Sequence, residues 1–343
     1  MSEMPETTKA TTSPLTAFLE ARGLRRIPWN WALGAAVLFF VAFPFWASGY
    51  WVRVLTSAFM YGALATSLNI MLGYIGYADF GNVVFFGVGA YVTGITMKML
   101  GFPLPLAVLS GALVAALYAT ILGLPILRLK GHYFAIATIG VMDATRELVT
   151  NMDPITGGGT GFSLPLPDWG PEVFFTIIYF TMFGLMALYV AASKWIRESR
   201  FGYGLRAIRA DEEAAAIAGV PTTRYKVMAW ATSAFMTGLV GGVFAYWFSY
   251  IEPPDVFNIL IEMKYMIMVL LGGVGTIWGP ILGAFFLEVI SELVWGQFLE
   301  LHLGMLGLIV ILVVIFLPKG LWALVQRRFT FRGWLAELRQ NKI

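Results

Sequence analysis

Apolar residues run in long uninterrupted blocks from Trp31 to Pro318, divided by short polar or Gly- and Pro-rich stretches. Blocks of about 20 residues match the roughly 30 Å of hydrocarbon that a helix crosses at 1.5 Å per residue. Their apolar positions are continuous rather than alternating, so helices are expected and not barrel strands. The pattern predicts an all-α polytopic membrane protein with about ten transmembrane or re-entrant helices, within a range of roughly eight to eleven. The blocks are Trp31–Ser48, Val52–Leu72, Val83–Leu100, Leu104–Leu127, His132–Val149, Val173–Ala192, Val227–Tyr250, Ile259–Leu271, Ile281–Trp295 and Gly304–Leu317. The eighth and the last two are short for a full crossing.

Composition agrees with the pattern. The 343 residues are 59% hydrophobic and 13% charged, far from the average soluble domain. The first thirty residues lack an apolar stretch ahead of a small-residue cleavage site, so no secretory signal is expected. Without cysteine, disulfides and thiolate metal sites are excluded, and His132 and His302 are too far apart in sequence to suggest a metal site. A net charge of +3 points to no nucleic acid, because in a membrane protein the placement of the cations carries the information.

That placement sets an orientation. With the N-terminus inside, all Lys and Arg except Arg53, Lys98, Arg146 and Lys264 fall in cytoplasmic segments, as the positive-inside rule requires. The loop Asn151–Glu172 holds Asp153, Asp168 and Glu172 and no cation, as an outer loop does. The resulting organisation is a cytoplasmic segment 1–30, a transmembrane region 31–318 with a cytoplasmic loop 193–226, and a basic amphipathic tail 319–343 on the inner surface. Both termini are cytoplasmic.

Within the 193–226 loop stands "ESRFGYGLRAIRADEEAAAIAGVP" (Glu198–Pro221), polar and helix-forming in an oily chain. Asp211 is a good N-cap, Glu212 and Glu213 suit the positive end of the helix dipole, and Gly219 with Pro221 makes a stop. A two-turn helix about 10 Å long follows, too short to span. Ala215 and Gly219 fall one turn apart, which predicts a small face that another protein approaches. From the residues alone, a solvated loop with a capped helix is the competing reading.

The order Glu213-Ala214-Ala215, three residues, Gly219 resembles the EAA–G coupling motif of ABC importer permeases. Further stretches resemble the LivM-type permeases of branched-chain amino acid transport and their urea- and amide-transporting relatives. They are "LNIMLGYIGYADFGNVVFFGVGAY", "LRLKGHYFAIATIG", "TGGGTGF", "SRFGYGLRAIRADEEAAAIAG", "TRYKVMAWATSAFMTGLVGG", "LLGGVGTIWGPILGAFF" and "LPKGL", spread from Leu68 to Leu321. The resemblance implies a permease subunit that pairs with a second homologous permease and docks two ABC ATPases. An extracytoplasmic binding protein would deliver a branched-chain amino acid, urea or a short amide. ATPase coupling would then fall to Asp211, Glu212, Glu213, Ala214, Ala215 and Gly219. The chain has no G-x-x-x-x-G-K-[ST] loop, so it is not expected to hydrolyse ATP or to bind a cofactor itself. A secondary transporter or channel would need a coupling-ion site, which the scattered carboxylates do not assemble.

Two Gly-rich breaks interrupt the apolar blocks, "GYIGYADFGN" (Gly73–Asn82) and "GGVGTIWGP" (Gly272–Pro280). Unwound backbone at membrane depth marks either a transport pathway or tight turns at the inner surface, and both readings stand for Gly76, Tyr77, Asn82, Gly272, Gly273 and Gly275. Asp79 is either a pathway carboxylate or a residue of a short loop. The permeases more often carry Gln, Ser and His where this chain has Tyr77, Asp79 and Asn82, which leaves the solute open. In the fifth block Asp143, Arg146 and Glu147 share a face at i, i+3 and i+4, as an ion pair or an outer gate. Topology mapping tests the arrangement: a reporter after Ile343 is expected inside and one within Asn151–Glu172 outside. Finding both on one side overturns it.

Overall fold

The computed structural model describes residues 29–165, 170–295 and 320–326, together with 304 and 307. The segment 1–28, nearly all of the expected tenth span and the end of the tail, 327–343, lie outside the described residues. The chain divides into two units, Met1–Ala47 and Ser48–Ile343. The first unit holds α1 (Trp29–Ala42), closed by a 3-10 turn at Phe43–Phe45, where Phe43 meets Trp46 edge to face at 5.1 Å.

The second unit starts with α2 (Gly49–Asn69), which continues as a π turn over Ile70–Ile75. Next come α3 (Val83–Leu100), α4 (Leu104–Ile126), α5 (His132–Thr150) and the single turn α6 (Asp153–Thr156). The middle of the chain is α7 (Pro171–Glu198), α8 (Arg200–Ala210), α9 (Glu212–Ile217) and α10 (Thr222–Phe248). It closes with α11 (Pro253–Val256), α12 (Ile259–Gly272), α13 (Gly279–Trp295) and α14 (Gly320–Gln326). The second to ninth apolar blocks are therefore all helical. Among the described residues, five helices are long and apolar enough to cross a membrane, Gly49–Ile75, Val83–Leu100, Leu104–Ile126, Pro171–Glu198 and Thr222–Phe248. Helix α5 has the length but carries Asp143, Arg146 and Glu147, while α12 and α13 have 14 and 17 residues, fewer than the roughly 20 of a full crossing.

Packing follows side-chain size. Helices α3, α4 and α10 form one group in which small residues bring backbones together, as is usual where lipid offers no hydrophobic drive. A Cβ at Gly89 would clash with Gly238, and one at Gly241 with the Phe86 carbonyl. Helix α2 is the axis of the second group and packs against α7, α12 and α13, with 89% of its apolar window buried within the protein. Contacts between α2 and α10 join the groups.

Helix α10 also sets the distance between two ends of this second unit. Its start lies beside α9, and its far end, about 40 Å away at 1.5 Å per residue, leads into β2 (Tyr250–Ile251). Strand β2 pairs antiparallel with β1 (Phe162–Ser163), Phe162 opposite Ile251. The Gly-rich 156–163 stretch and the polar α8–α9 segment thus occupy opposite ends of α10.

Candidate functional site

The polar segment folds as two helices in succession. Ser199 caps α8, its hydroxyl accepting the Gly202 amide at 3.2 Å. Asp211 ends α8 and caps α9, its Oδ1 accepting the amides of Glu213 at 2.9 Å and Ala214 at 3.0 Å. The stop is a complete Schellman arrangement: the Val220 amide reaches the Ala215 carbonyl and the Gly219 amide the Ala216 carbonyl, both at 3.0 Å. Gly219 has φ +87, a left-handed conformation that costs other residues strain. The cap and stop fall where the sequence places them.

The exposed surface of α9 differs from the expectation. Ala215 is buried, 5% exposed, so it packs against its own chain and does not share an outer face with Gly219. The outer face is formed by Glu213, Ala214, Ala218, Gly219 and above all Ile217, an isoleucine 89% exposed. An apolar side chain held in water on a rigid two-turn helix is a natural anchor for a partner.

Glu212 turns inward and ties α9 to the body. Its carboxylate accepts the Lys226 ammonium at 2.7 Å and the Tyr77 hydroxyl at 3.1 Å, with Lys130 3.8 Å away. Lys226, 5% exposed in its side chain, also donates to the Leu127 carbonyl at 2.8 Å and to Tyr77 at 3.2 Å. One buried cation thereby joins α9, the end of α4 and the first Gly-rich break. Burial pushes the Glu212 carboxyl upward, but the Lys226 ammonium and the Tyr77 hydroxyl outweigh it and hold Glu212 below the ordinary carboxylate value. The Tyr77 hydroxyl is pushed up to about 12, by burial and by the facing Glu212 carboxylate, so it stays a donor.

Arg209, at the end of α8, makes the second tie. Its guanidinium donates to the Gly73 carbonyl in the π turn and lies across Gly76 and Gly275, where a Cβ at either would stand 3.0 Å from it. The two Gly-rich breaks, 200 positions apart, meet here. Asn69 joins them: its Oδ1 accepts the Gly275 amide at 2.8 Å and its Nδ2 donates to the Thr276 carbonyl at 2.9 Å. Tyr74 of the π turn shares a 2.7 Å hydrogen bond with Ser193 of α7. In the second break, Gly272 lies so close to Gly279 and Gly283 that a side chain would collide with their backbones, and Gly273 packs against Gly320 of α14.

Asp79 and Asn82 sit deeper, in a closed polar core at the start of α3. Asp79 accepts the Trp230 indole N–H at 2.7 Å, the Asn82 amide at 3.2 Å and the Gly81 backbone at 3.1 Å. Asn82 accepts from Thr237 at 2.8 Å and donates to Ser233 at 3.1 Å. Glu262 of α12 accepts the Val83 amide at 2.6 Å and the Tyr265 hydroxyl. Asp79, Asn82 and Glu262 are all fully buried, and their contacts hold α3, α10 and α12 in register. The third candidate group lies apart on α5. Arg146 pairs with Asp143 at 3.3 Å, both half-exposed, while Glu147 accepts from Asn151 at 3.0 Å.

Arg209, Asn69, Lys226 and Trp230 complete these clusters and were not singled out by sequence reasoning. For Arg209 and Lys226 a signal existed: both stand among the cations expected inside, within four residues of a span or of α9. Asn69 carries none, being a single amide in an apolar block.

A polytopic helical protein with a short, capped, outward-facing helix tied to two unwound breaks is the class that the fold and site define. The chain belongs to the family described as the permease component of branched-chain amino acid transport systems, whose family model matches residues 50–314. Two relatives carry the name high-affinity branched-chain amino acid transport system permease protein LivM. The protein from Salmonella typhimurium is 31% identical over 335 residues, covering 89% of this chain and 77% of the relative. That from Escherichia coli is 30% identical over 331 residues, with the same coverage of 89% and 77%. No solved structure matches the chain.

The two adjacent glutamates should separate sharply. Glu212→Ala leaves the Lys226 ammonium buried with neutral partners only, a change expected to cost about 3–5 kcal/mol. Glu213, 87% exposed and 4.0 Å from Lys130, should cost under about 0.5 kcal/mol when replaced by Ala. Thermal unfolding in detergent measures both, and equal losses contradict the placement. Because Glu212 is held below its ordinary value, its contribution is complete above that value and disappears as pH falls through the lowered one. The Glu212→Ala and wild-type curves should therefore converge in acid.

Proposed function

We propose that this chain is the permease subunit of an ABC importer in the inner membrane, carrying a branched-chain amino acid. It pairs with a second homologous permease, receives its solute from an extracytoplasmic binding protein, and is driven by ATP hydrolysed on two separate ATPase subunits. The observation that carries the reading is α9: a helix capped at both ends, too short to span, with Ile217 outward and Glu212 locked inward. Family membership and the names of the two relatives support the solute class.

In this reading α9 seats in a groove of an ATPase, with Ile217 as its apolar anchor. Movement of the ATPase passes to the membrane region through two rigid ties, Glu212 to Lys226 and Tyr77, and Arg209 to the glycine breaks. Both ties end on unwound backbone. The ties hold the breaks to α9, so a pull on α9 carries both breaks with it and the change falls between them and the helices around them. The loop at the other end of α10 faces the binding protein.

Mutations on the outer face of α9 test this reading in the assembled complex. At Gly219 a Cβ meets open space, so Gly219→Leu adds only the left-handed strain of about 1–2 kcal/mol and presents its bulk outward. Gly219→Leu and Ile217→Asp are expected to insert normally but to lose co-purification with the ATPases or leucine-stimulated ATP hydrolysis, and Glu213→Ala to be milder. Wild-type values of both readouts for Gly219→Leu and Ile217→Asp would remove the coupling role.

A further inference from the structure

The second helical group contains a set of charges that neither the coupling segment nor the closed polar core uses. Lys264 of α12 lies 2.7 Å from Glu288 of α13 and stacks over the Tyr61 ring of α2 at 4.3 Å. One turn on from Glu288, Glu292 accepts the Tyr50 hydroxyl. The Lys264–Glu288 approach is close but poorly aligned, and Glu288 Oε2 is buried without an aligned hydrogen-bond donor. These groups therefore comprise one ammonium, two carboxylates and two phenol rings on three packed helices.

Depth and exposure decide what the set faces. Tyr61 lies near the middle of the Gly49–Ile75 helix, about 18 Å along the axis from Gly49, while Tyr50, which Glu292 meets, lies at its start, so the set runs from the end of the span inward to the Lys264–Glu288 pair. The Lys264 side chain is 27% exposed and that of Glu288 9%, and Leu260, one turn before Lys264, and Met263 next to it are exposed apolar residues. Hydrocarbon does not tolerate an ion pair at mid-span; such groups face a bundle interior, a water-filled route or a bound solute. The surface is thus a charged spot inside an apolar rim, at the depth where transporters place their solute sites.

We infer that Lys264, Glu288 and Glu292 form a contact point for the zwitterionic head of an amino acid on its way through the membrane. The Lys264 ammonium meets the solute carboxylate, and the Glu288 and Glu292 carboxylates meet its ammonium. Leu260 and Met263 lie against its aliphatic side chain. The set carries one more carboxylate than cation, which favours a solute that brings its own positive charge over an anion. A neutral solute such as urea would leave the ion pair unopened. The inference rests on the permease reading and names the solute contact within it.

The test uses the complete reconstituted importer, with leucine uptake measured per assembled complex and the thermal midpoint measured in parallel. Lys264→Met and Glu288→Leu singly should each lower uptake by about tenfold or more, the scale of truncating one partner of a buried charge pair. The double variant Lys264→Met with Glu288→Leu removes the pair without leaving a lone charge, so its stability should return to that of the wild type or above it. If the pair binds solute, uptake stays low in the double variant despite restored stability. If the double variant takes up leucine within about twofold of wild type, the pair is structural and the inference is overturned. A wild-type complex that transports no amino acid would overturn the permease reading and this inference together, whereas wild-type transport that survives in the double variant overturns the inference alone.

Discussion

Backbone that leaves the helix inside a membrane protein must find its hydrogen-bond partners within the chain. Here one amide supplies them. Asn69 accepts from Gly275 and donates to Thr276, closing the second break against the π turn that begins at Ile70. An orphaned buried amide or carbonyl costs about 1–3 kcal/mol, so two of them would make the breaks unaffordable in isolation. Both breaks exist because they lie against each other, and the α8–α9 segment is attached where they meet.

That attachment is a matter of charge and size. The Arg209 guanidinium reaches the Gly73 carbonyl only because Gly76 and Gly275 leave room for its side chain. Lys226 is buried at little cost because three oxygens surround it, those of Glu212, Leu127 and Tyr77. Coulomb attraction at 2.7 Å in a partly dry site exceeds anything exposed Glu213 gains from Lys130 at 4.0 Å. Consequently the acid that matters to the fold is the inward one, and Glu213 beside it is left exposed. The closed core around Asp79 stiffens the same region from below, holding the start of α3 between α10 and α12.

Much of this was legible in the sequence. Apolar blocks located the helices because the bilayer demands length and continuity, and Asp211 and Gly219 marked the ends of α9 because caps and left-handed stops need particular residues. Helix α8 was not foreseen: Gly202 and Gly204 lower its helix propensity. In the structure, however, their missing side chains admit the Ile196 carbonyl and the Tyr225 ring. One-turn spacing put Ala215 and Gly219 on one side of α9, but Gly219 ends the helix in a left-handed turn and stands exposed while Ala215 packs inward. The meeting of the two breaks was invisible, since each was recognisable by its glycines while Asn69, which joins them, looks like any polar residue in an apolar run. Arg209 and Lys226 were visible as cytoplasmic charges, and only the fold shows that they point inward.

The central claim is that α9 and the two breaks move as one body when the ATPases act. The chain has no cysteine, so spin labels can be placed at will. In the assembled complex, labels at Ala218→Cys on the coupling segment and Ile277→Cys in the second break report that distance by pulsed electron resonance, with Ala218→Cys and Leu117→Cys on α4 as the reference pair. Between nucleotide-free and nucleotide-bound states the 218–277 distance should stay within its own width while the 218–117 distance shifts. A 218–277 distance that changes as much as the reference pair would contradict the account.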